Sequence, residues 1–297
     1  MRLRQIEIFH AVYTTGSITN AANLLCVSQP SVSKVLAHAE LQLGFQLFNR
    51  TKGKLVPTSE ANMLFKEVDK IYKQLSSIKK MSANIKQSEH GFIDVAVTPA
   101  LGFQVIPKTL AKFKIKHPSV QIKLQTMHND EALQSLMEHK CDVAILYGSP
   151  SLPSVHEETL AKSEMVICYP NALFKEQPAT LSLSALANQD LISIWDSGPL
   201  GQLVWERIVA NDIPINSTYQ VDTYYIATKL VDNNLGCCTV DRFTAYGNKT
   251  DNFSIASFAP PIEFDIKALH LESRPLSRVC SAFLDYVKLE MNEFLAS

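Results

Sequence analysis

Residues 17–34, Ser-Ile-Thr-Asn-Ala-Ala-Asn-Leu-Leu-Cys-Val-Ser-Gln-Pro-Ser-Val-Ser-Lys, constrain the fold more than any other part of this chain. They predict two short helices joined by a tight turn. Gly16 offers a stop for the helix before it, and Ser17 a hydroxyl cap for the next. Ala21 and Ala22 are small enough to let a second helix cross closely. Ser28 is placed to cap that helix, with Pro30 in its first turn, where a missing N–H costs little. Val32, Val35, Leu36 and Ala39 recur at i, i+3, i+4 and i+7 and predict one buried stripe. The opposite face carries Gln29, Ser31, Ser33, Lys34 and His38, with no carboxylate before Glu40. Uncharged donors and a cation at the exposed start of a helix suit the major groove of double-stranded DNA, where base edges and phosphates are hydrogen-bonding partners. A helical hairpin in an ordinary core would not need its outer face free of acid.

The next segment supports that reading. Residues 47–58 gather Arg50, Lys52 and Lys54 about Gly53 between apolar flanks. This predicts a short β-wing whose basic tip lies against the phosphate backbone. Leu3, Ile6, Phe9, Val12 and Tyr13 predict a preceding helix packed beneath both. The expected DNA contacts are Ser28, Gln29, Pro30, Ser31, Ser33 and Lys34 on the helix, and Arg50, Lys52 and Lys54 on the wing.

These sixty residues resemble the LysR-type transcriptional regulators. The likeness rests on Leu3-Arg4-Gln5-Ile6-Glu7-Ile8-Phe9, Gly16-Ser17-Ile18, Ala21-Ala22, Leu25, Val27-Ser28-Gln29-Pro30-Ser31-Val32-Ser33, Leu43-Gly44, Leu47-Phe48, Arg50 and Pro57-Thr58, in order and without gaps. Ile6-Glu7-Ile8-Phe9-His10-Ala11-Val12 and Asp241-Arg242-Phe243-Thr244-Ala245 look most similar to the lysine-biosynthesis and opine-catabolism regulators of that family. Lys34 stands where the family commonly has arginine, which keeps the charge but loses the bidentate fork toward guanine. The resemblance implies binding to an interrupted palindromic operator and response to a small-molecule effector, with an amino acid or a derivative as the first expectation. It also implies pairing of effector domains, which would join homodimers into a homotetramer.

From Ser59 the pattern predicts one long helix. Thr58 or Ser59 caps it, and Glu60 lies in the first turn, where the helix dipole favours an anion. Ala61, Leu64, Val68, Ile71, Leu75 and Ile78 alternate spacings of three and four, a heptad seam widened by Phe65 and Tyr72. Pairing with a second copy is the expectation, because a reader with one recognition helix gains most from dimerisation. Packing along the chain's own body is the alternative.

Beyond residue 91 the period changes. Strands are expected over Phe92–Val97, Val120–Thr126 and Asp142–Leu146, with helices over Val105–His117 and Asp130–Glu138 between them. This β-α-β-α-β run predicts a parallel sheet. Ser149-Pro150-Ser151-Leu152-Pro153-Ser154 then reads as a crossing between lobes. A second run follows, with strands over Met165–Tyr169, Leu191–Trp195, Thr218–Val221 and Cys237–Val240 and helices over Leu200–Ala210 and Tyr224–Asn234. Two later strands, Phe253–Phe258 and Phe264–Leu271, precede a closing helix over Pro275–Phe294.

The expected fold is therefore an α/β body under an all-α winged helix-turn-helix head, joined by a long linker helix. The body resembles the two-lobed, periplasmic-binding-protein-like effector domain of the family. The division is 1–58 for the head, 59–89 for the linker and 90–297 for the effector domain, with lobe I near 90–164 and 265–297 and lobe II near 165–264. A ligand in such a sheet sits past the carboxyl ends of the strands, between the lobes. That rule nominates Thr98, Pro99, Ala100, Thr126, Tyr147, Trp195, Ser197, Gly198, Asp222 and Thr223. The loops after Thr98 and Ser197 lead into helices and could hold a carboxylate, and Asp222 or Asp196 could then receive an ammonium.

Charge separates the two ends. The whole chain carries −1, but residues 1–90 carry +6 and the remainder −7, as befits a nucleic-acid module joined to something else. No apolar run reaches membrane-span length, and Met1-Arg2-Leu3-Arg4-Gln5 runs into an amphipathic helix rather than a signal core, so a cytoplasmic protein without membrane contact is expected. A solute-binding protein built on the α/β half would want the export signal this start lacks. No nucleophile–base set, phosphate loop or metal-ligand spacing appears, which points away from an enzyme and from any cofactor. Six scattered cysteines show no C-x-x-C pattern. Cys237-Cys238 reads as small core side chains rather than as a redox switch, although a cysteine-based redox-responsive regulator is the alternative.

Overall fold

The computed structural model describes residues 1–296 apart from 52–53, 87–90, 149–151, 175 and 195–197, with backbone only at 54, 76–77 and 79–86. The chain divides into two compact units, Met1–Ser82 and Ala83–Ser297.

In the first unit, α1 (Leu3–Thr15) ends at Gly16, whose φ of +64° suits a residue without a side chain. The Ser17 hydroxyl accepts from the Asn20 N–H at 3.4 Å and starts α2 (Ile18–Leu24). Then α3 (Gln29–Leu43) stops at Gly44, φ +76°. Ser28 occupies the cap position of α3, but its hydroxyl receives no bond from the first turn, against the capping role expected for it. Glu40 fastens the wing, since its Oε1 accepts the Leu47 N–H at 2.8 Å and the Phe48 N–H at 3.3 Å. The wing itself is β1 (Phe48–Thr51) antiparallel to β2 (Lys54–Pro57), with Arg50 opposite Leu55.

Ile8, Phe9, Val12, Val32, Leu36, Ala39 and Leu47 form this unit's core. Each large one among them removes apolar surface worth about 1.5–3 kcal/mol from water. Leu3, expected in the core, is half exposed, because the buried face of α1 runs through Ile8, Phe9, Ala11 and Val12 instead.

The long helix α4 (Ser59–Lys86) starts where Thr58 Oγ1 accepts the Ala61 N–H at 3.1 Å. Its heptad pattern divides in two. Ala61 and Val68 are buried in the head's own core, with Leu64 and Phe65 packed against it. Phe65 stacks on Tyr13 at 3.8 Å and Tyr72 on His10 at 3.9 Å, while His10 Nε2 meets Asp69 Oδ1 at 3.1 Å. Packing along the chain's own body, the alternative above, holds for that first half. Ile71 and Ile78 are 40% and 62% exposed.

In the second unit β3 (Phe92–Val97) pairs in parallel with β4 (Gln121–Thr126) and with β5 (Val143–Tyr147). The connecting helices are α5 (Val105–Lys116) and α6 (Asn129–Met137), and a 3-10 turn over Pro99–Gly102 precedes α5. Then β6 (Val155–Pro170) begins ten residues before the strand expected at Met165. Its first half, residues 155–164, is mostly polar, with Val155, Leu160 and Ala161 as its apolar residues, so it hides in a scan for apolar runs. It is followed by β7 (Thr180–Leu181), β8 (Asp190–Ile194), α7 (Gly198–Ala210), β9 (Asn216–Val221), α8 (Tyr224–Asp232), β10 (Cys238–Asp241) and α9 (Arg242–Gly247). A single strand, β11 (Phe253–Leu271), replaces the two expected, with its register shifting between Ser257 and Ile262 where Pro260 and Pro261 cannot donate to a ladder. The closing helix is α10 (Arg278–Ala296).

The strand order is β10-β6-β11-β5-β3-β4, with β7 on β11, and β8 and β9 form a parallel pair. Paired along nearly their whole length, β6 and β11 run through both lobes. Lobe I gathers on β5 and β3 at one end, lobe II on β10 at the other. The crossing expected over residues 149–154 is thus made by strands, and Ser149, Pro150 and Ser151 lie outside the described residues.

Candidate nucleic-acid interface and effector cavity

Helix α3 buries Val32, Leu36 and Ala39 and turns its polar residues outward, as its periodicity predicts. Ser28, Gln29, Pro30, Ser31 and Lys34 are exposed and Ser33 is half-buried. The Gln29 amide donates to the Ser33 hydroxyl at 3.3 Å, which holds two polar side chains together one turn apart. His38 is exposed too, but its Nδ1 is engaged at 3.1 Å by the amide of Gln5, a buried residue that also donates to Gln42 at 2.8 Å. Arg50 is exposed on β1. Lys54 opens β2, and Lys52 lies outside the described residues.

In the second unit a cavity of about 420 Å³ opens past the carboxyl ends of β3 and β5. Thr98, Pro99, Ala100, Tyr147, Gly198, Asp222 and Thr223 all line it, as the strand-end rule anticipates. Thr126 does not. It is exposed at the end of the edge strand β4, and the chain beyond it supplies His128, Asn129 and Asp130 instead. Trp195 and Ser197 lie outside the described residues.

Several lining residues were not nominated from the sequence: Phe103, Asn129, Asp130, Tyr224, Tyr225, Ile226 and Thr244. Phe103 and Tyr225 stack at 5.6 Å. The Asn129 amide donates to the Tyr147 carbonyl at 2.7 Å and fixes the start of α6. One side chain stands out for what it lacks. Thr98 is 6% exposed, and its Oγ1 lies beside the Tyr147 phenol but in no well-formed hydrogen bond.

The electrostatics of the cavity are mixed. Burial, joined by the charge of Asp241, pushes the Tyr147 phenol well above its ordinary range. Asp241 is itself wholly buried, and burial raises its carboxyl against the opposing bonds from the Thr244 hydroxyl and N–H. Helix α8 begins here on Thr223, whose hydroxyl accepts from the Ile226 N–H at 3.4 Å. The first N–H groups of α8 have no acceptor within the helix and carry partial positive charge, as do those where α7 begins at Gly198. Among the described lining residues Asp130 and Asp222 are acidic, and none is lysine or arginine.

The cysteines lie apart from this cavity. Cys168 and Cys238 face each other across β6 and β10, both fully buried. Burial pushes the Cys237 thiol up to about 12 and that of Cys141 up to about 11. Among the described residues no helix is long and apolar enough to cross a membrane.

Residues 3–62 match the family described as bacterial regulatory helix-turn-helix protein, lysR family, and residues 86–292 match the LysR substrate binding domain. The HTH-type transcriptional regulator DgcR of Pseudoalteromonas sp is 54% identical over 285 residues, covering 96% of this chain and 98% of that protein. The octopine catabolism/uptake operon regulatory protein OccR of Rhizobium meliloti is 32% identical over 166 residues, 56% of each chain. The crystal structure of full-length CbnR complexed with its target DNA shares the fold, with a TM-score of 0.69 at 17% identity over 98% of this chain and 100% of that one. With an outward-facing polar helix in its first unit and a lined cavity in its second, the chain belongs to the LysR family of DNA-binding transcriptional regulators and carries that family's effector-binding domain.

Proposed function

We propose that this regulator senses an amino acid or an amino-acid derivative in the cavity between its lobes and reads an interrupted palindromic operator as a homodimer or a homotetramer. The observation that carries the ligand class is Thr98. A buried hydroxyl without a partner costs roughly 1–3 kcal/mol, and a carboxylate bonded to it would remove that cost. The N-termini of α7 and α8 favour the same anionic group. Asp222 and Asp130, with the Tyr224, Tyr225 and Phe103 rings, suit an ammonium at the other end of the ligand. The octopine operon named for OccR supports the same class. Operator contacts are assigned to Gln29, Ser31, Ser33 and Lys34 at base edges and to Arg50, Lys52 and Lys54 at phosphates. Such a regulator acts where the chromosome is, in the cytoplasm. Burial raises the thiols of Cys141, Cys237 and Cys280, which speaks against a redox trigger at those three, while Cys26 is exposed.

A thermal-shift screen of the full chain against amino acids, opines and simple carboxylic acids tests the class. Stabilisation by compounds carrying both an amino and a carboxyl group, and not by either group alone, is expected. Stabilisation by amine-free carboxylic acids only would overturn the amino-acid reading and leave the cavity as the site.

A further inference from the structure

His156 and His270 stand directly opposite each other on β6 and β11. Their rings lie 4.8 Å apart, tilted by 38°. His156 is exposed and His270 half-buried, so the pair is open to solvent. His270 Nδ1 lies 3.1 Å from the Leu271 carbonyl oxygen. A carbonyl can only accept, so the proton sits on Nδ1 and the Nε2 lone pair is left for another partner. A ring N–H given to a backbone carbonyl is also how proteins orient a histidine that ligates a metal. Glu158, two residues along β6 from His156, pairs with Lys288 of α10 at 3.3 Å.

We infer that His156 and His270 form a two-imidazole site for a borderline divalent cation such as zinc, nickel or copper. Two imidazoles in register on adjacent strands suit these ions, whereas magnesium and calcium prefer oxygen ligands. Among the described residues no group of three or more metal-binding side chains occurs. The remaining coordination positions therefore fall to water, and the site is weaker than a four-ligand structural one. Its position gives it a mechanical consequence. The two strands it joins run through both lobes, and a bound ion clamps them together at the lobe I end. The site is separate from the effector cavity and shares no residue with it.

The test is calorimetric titration of the full chain, freed of metal by chelation, with zinc, nickel and magnesium chlorides. One zinc or nickel ion per chain is expected, with no magnesium binding. His156→Gln sits on an exposed edge position and should fold normally, as circular dichroism would verify. It should weaken zinc and nickel binding about ten-fold or more, and His270→Gln should do the same. A wild-type chain that binds neither zinc nor nickel would overturn the site, and so would variants that bind as tightly as wild type.

Discussion

The hydroxyl of Tyr147 donates to Oδ1 of Asp241 at 3.3 Å, tying the last residue of β5 in lobe I to the last residue of β10 in lobe II. Asp241 is completely buried, and burial lifts its carboxyl above the ordinary value of 3.8. A group whose pKa is raised on folding adds stability below its unfolded value and withdraws it as pH climbs through the folded value. Asparagine cannot titrate. The stability advantage of wild type over Asp241→Asn should therefore be largest near pH 4 and shrink toward pH 7, as read by thermal melts across that range. A gap that grows with pH would contradict the burial argument.

The heptad residues of α4 divide in the same testable way. Val68 is 3% exposed inside the head, whereas Ile71 is 40% exposed. Val68→Asp should destabilise the head by about 3 kcal/mol, as an unpaired buried charge does. Ile71→Glu should leave the melting temperature nearly unchanged and dissociate the dimer, provided the outer half of the helix makes the interface. Sedimentation of both variants beside their melting curves separates the two roles. An undisturbed dimer in Ile71→Glu would take that half of the helix out of the interface.

That division shows where the sequence is readable. Gly16, Ser17 and Gly44 act on their immediate neighbours, so the ends of α1, α2 and α3 follow from local chemistry. The seam on α4 does not, because the same spacing of three and four serves a partner helix or the chain's own head. What decides is a set of distant contacts, Tyr72 on His10 and Phe65 on Tyr13, which periodicity cannot express. The cavity behaves alike. Thr98, Tyr147 and Thr223 sit at strand ends and could be named in advance, but Phe103 meets Tyr225 only once both lobes are folded. Thr126 satisfied the same strand-end rule but does not line the cavity, being exposed at the end of an edge strand.

On the DNA side, Gln29 and Ser33 are held together at 3.3 Å on the outer face of α3. Replacing either by alanine should cost about 1–3 kcal/mol in operator binding and little on random DNA. Arg50→Ala should weaken both and reduce the salt dependence by about one phosphate contact. Band shifts on operator and scrambled duplexes at two salt concentrations read all three variants. Equal losses on both duplexes for Gln29→Ala would remove it from base recognition.

Thr98 offers the sharpest test of sensing. Its buried hydroxyl lies in the cavity wall beside the Tyr147 phenol without a well-formed hydrogen bond. Valine has nearly the same shape without the hydroxyl, so Thr98→Val should leave the free protein as stable as wild type, or more so, because an unsatisfied group is removed. The same change should weaken the effector about ten-fold, the equivalent of one hydrogen bond of roughly 1.5 kcal/mol to a charged group. Thr98→Trp should fill the cavity and abolish the response. Operator binding without effector should persist in both variants, since the contacts assigned to DNA lie in the other unit. Footprinting on the operator, with and without the compound found by the thermal-shift screen, gives the readout. Were both variants to respond like wild type, the effector would have to bind somewhere other than this cavity.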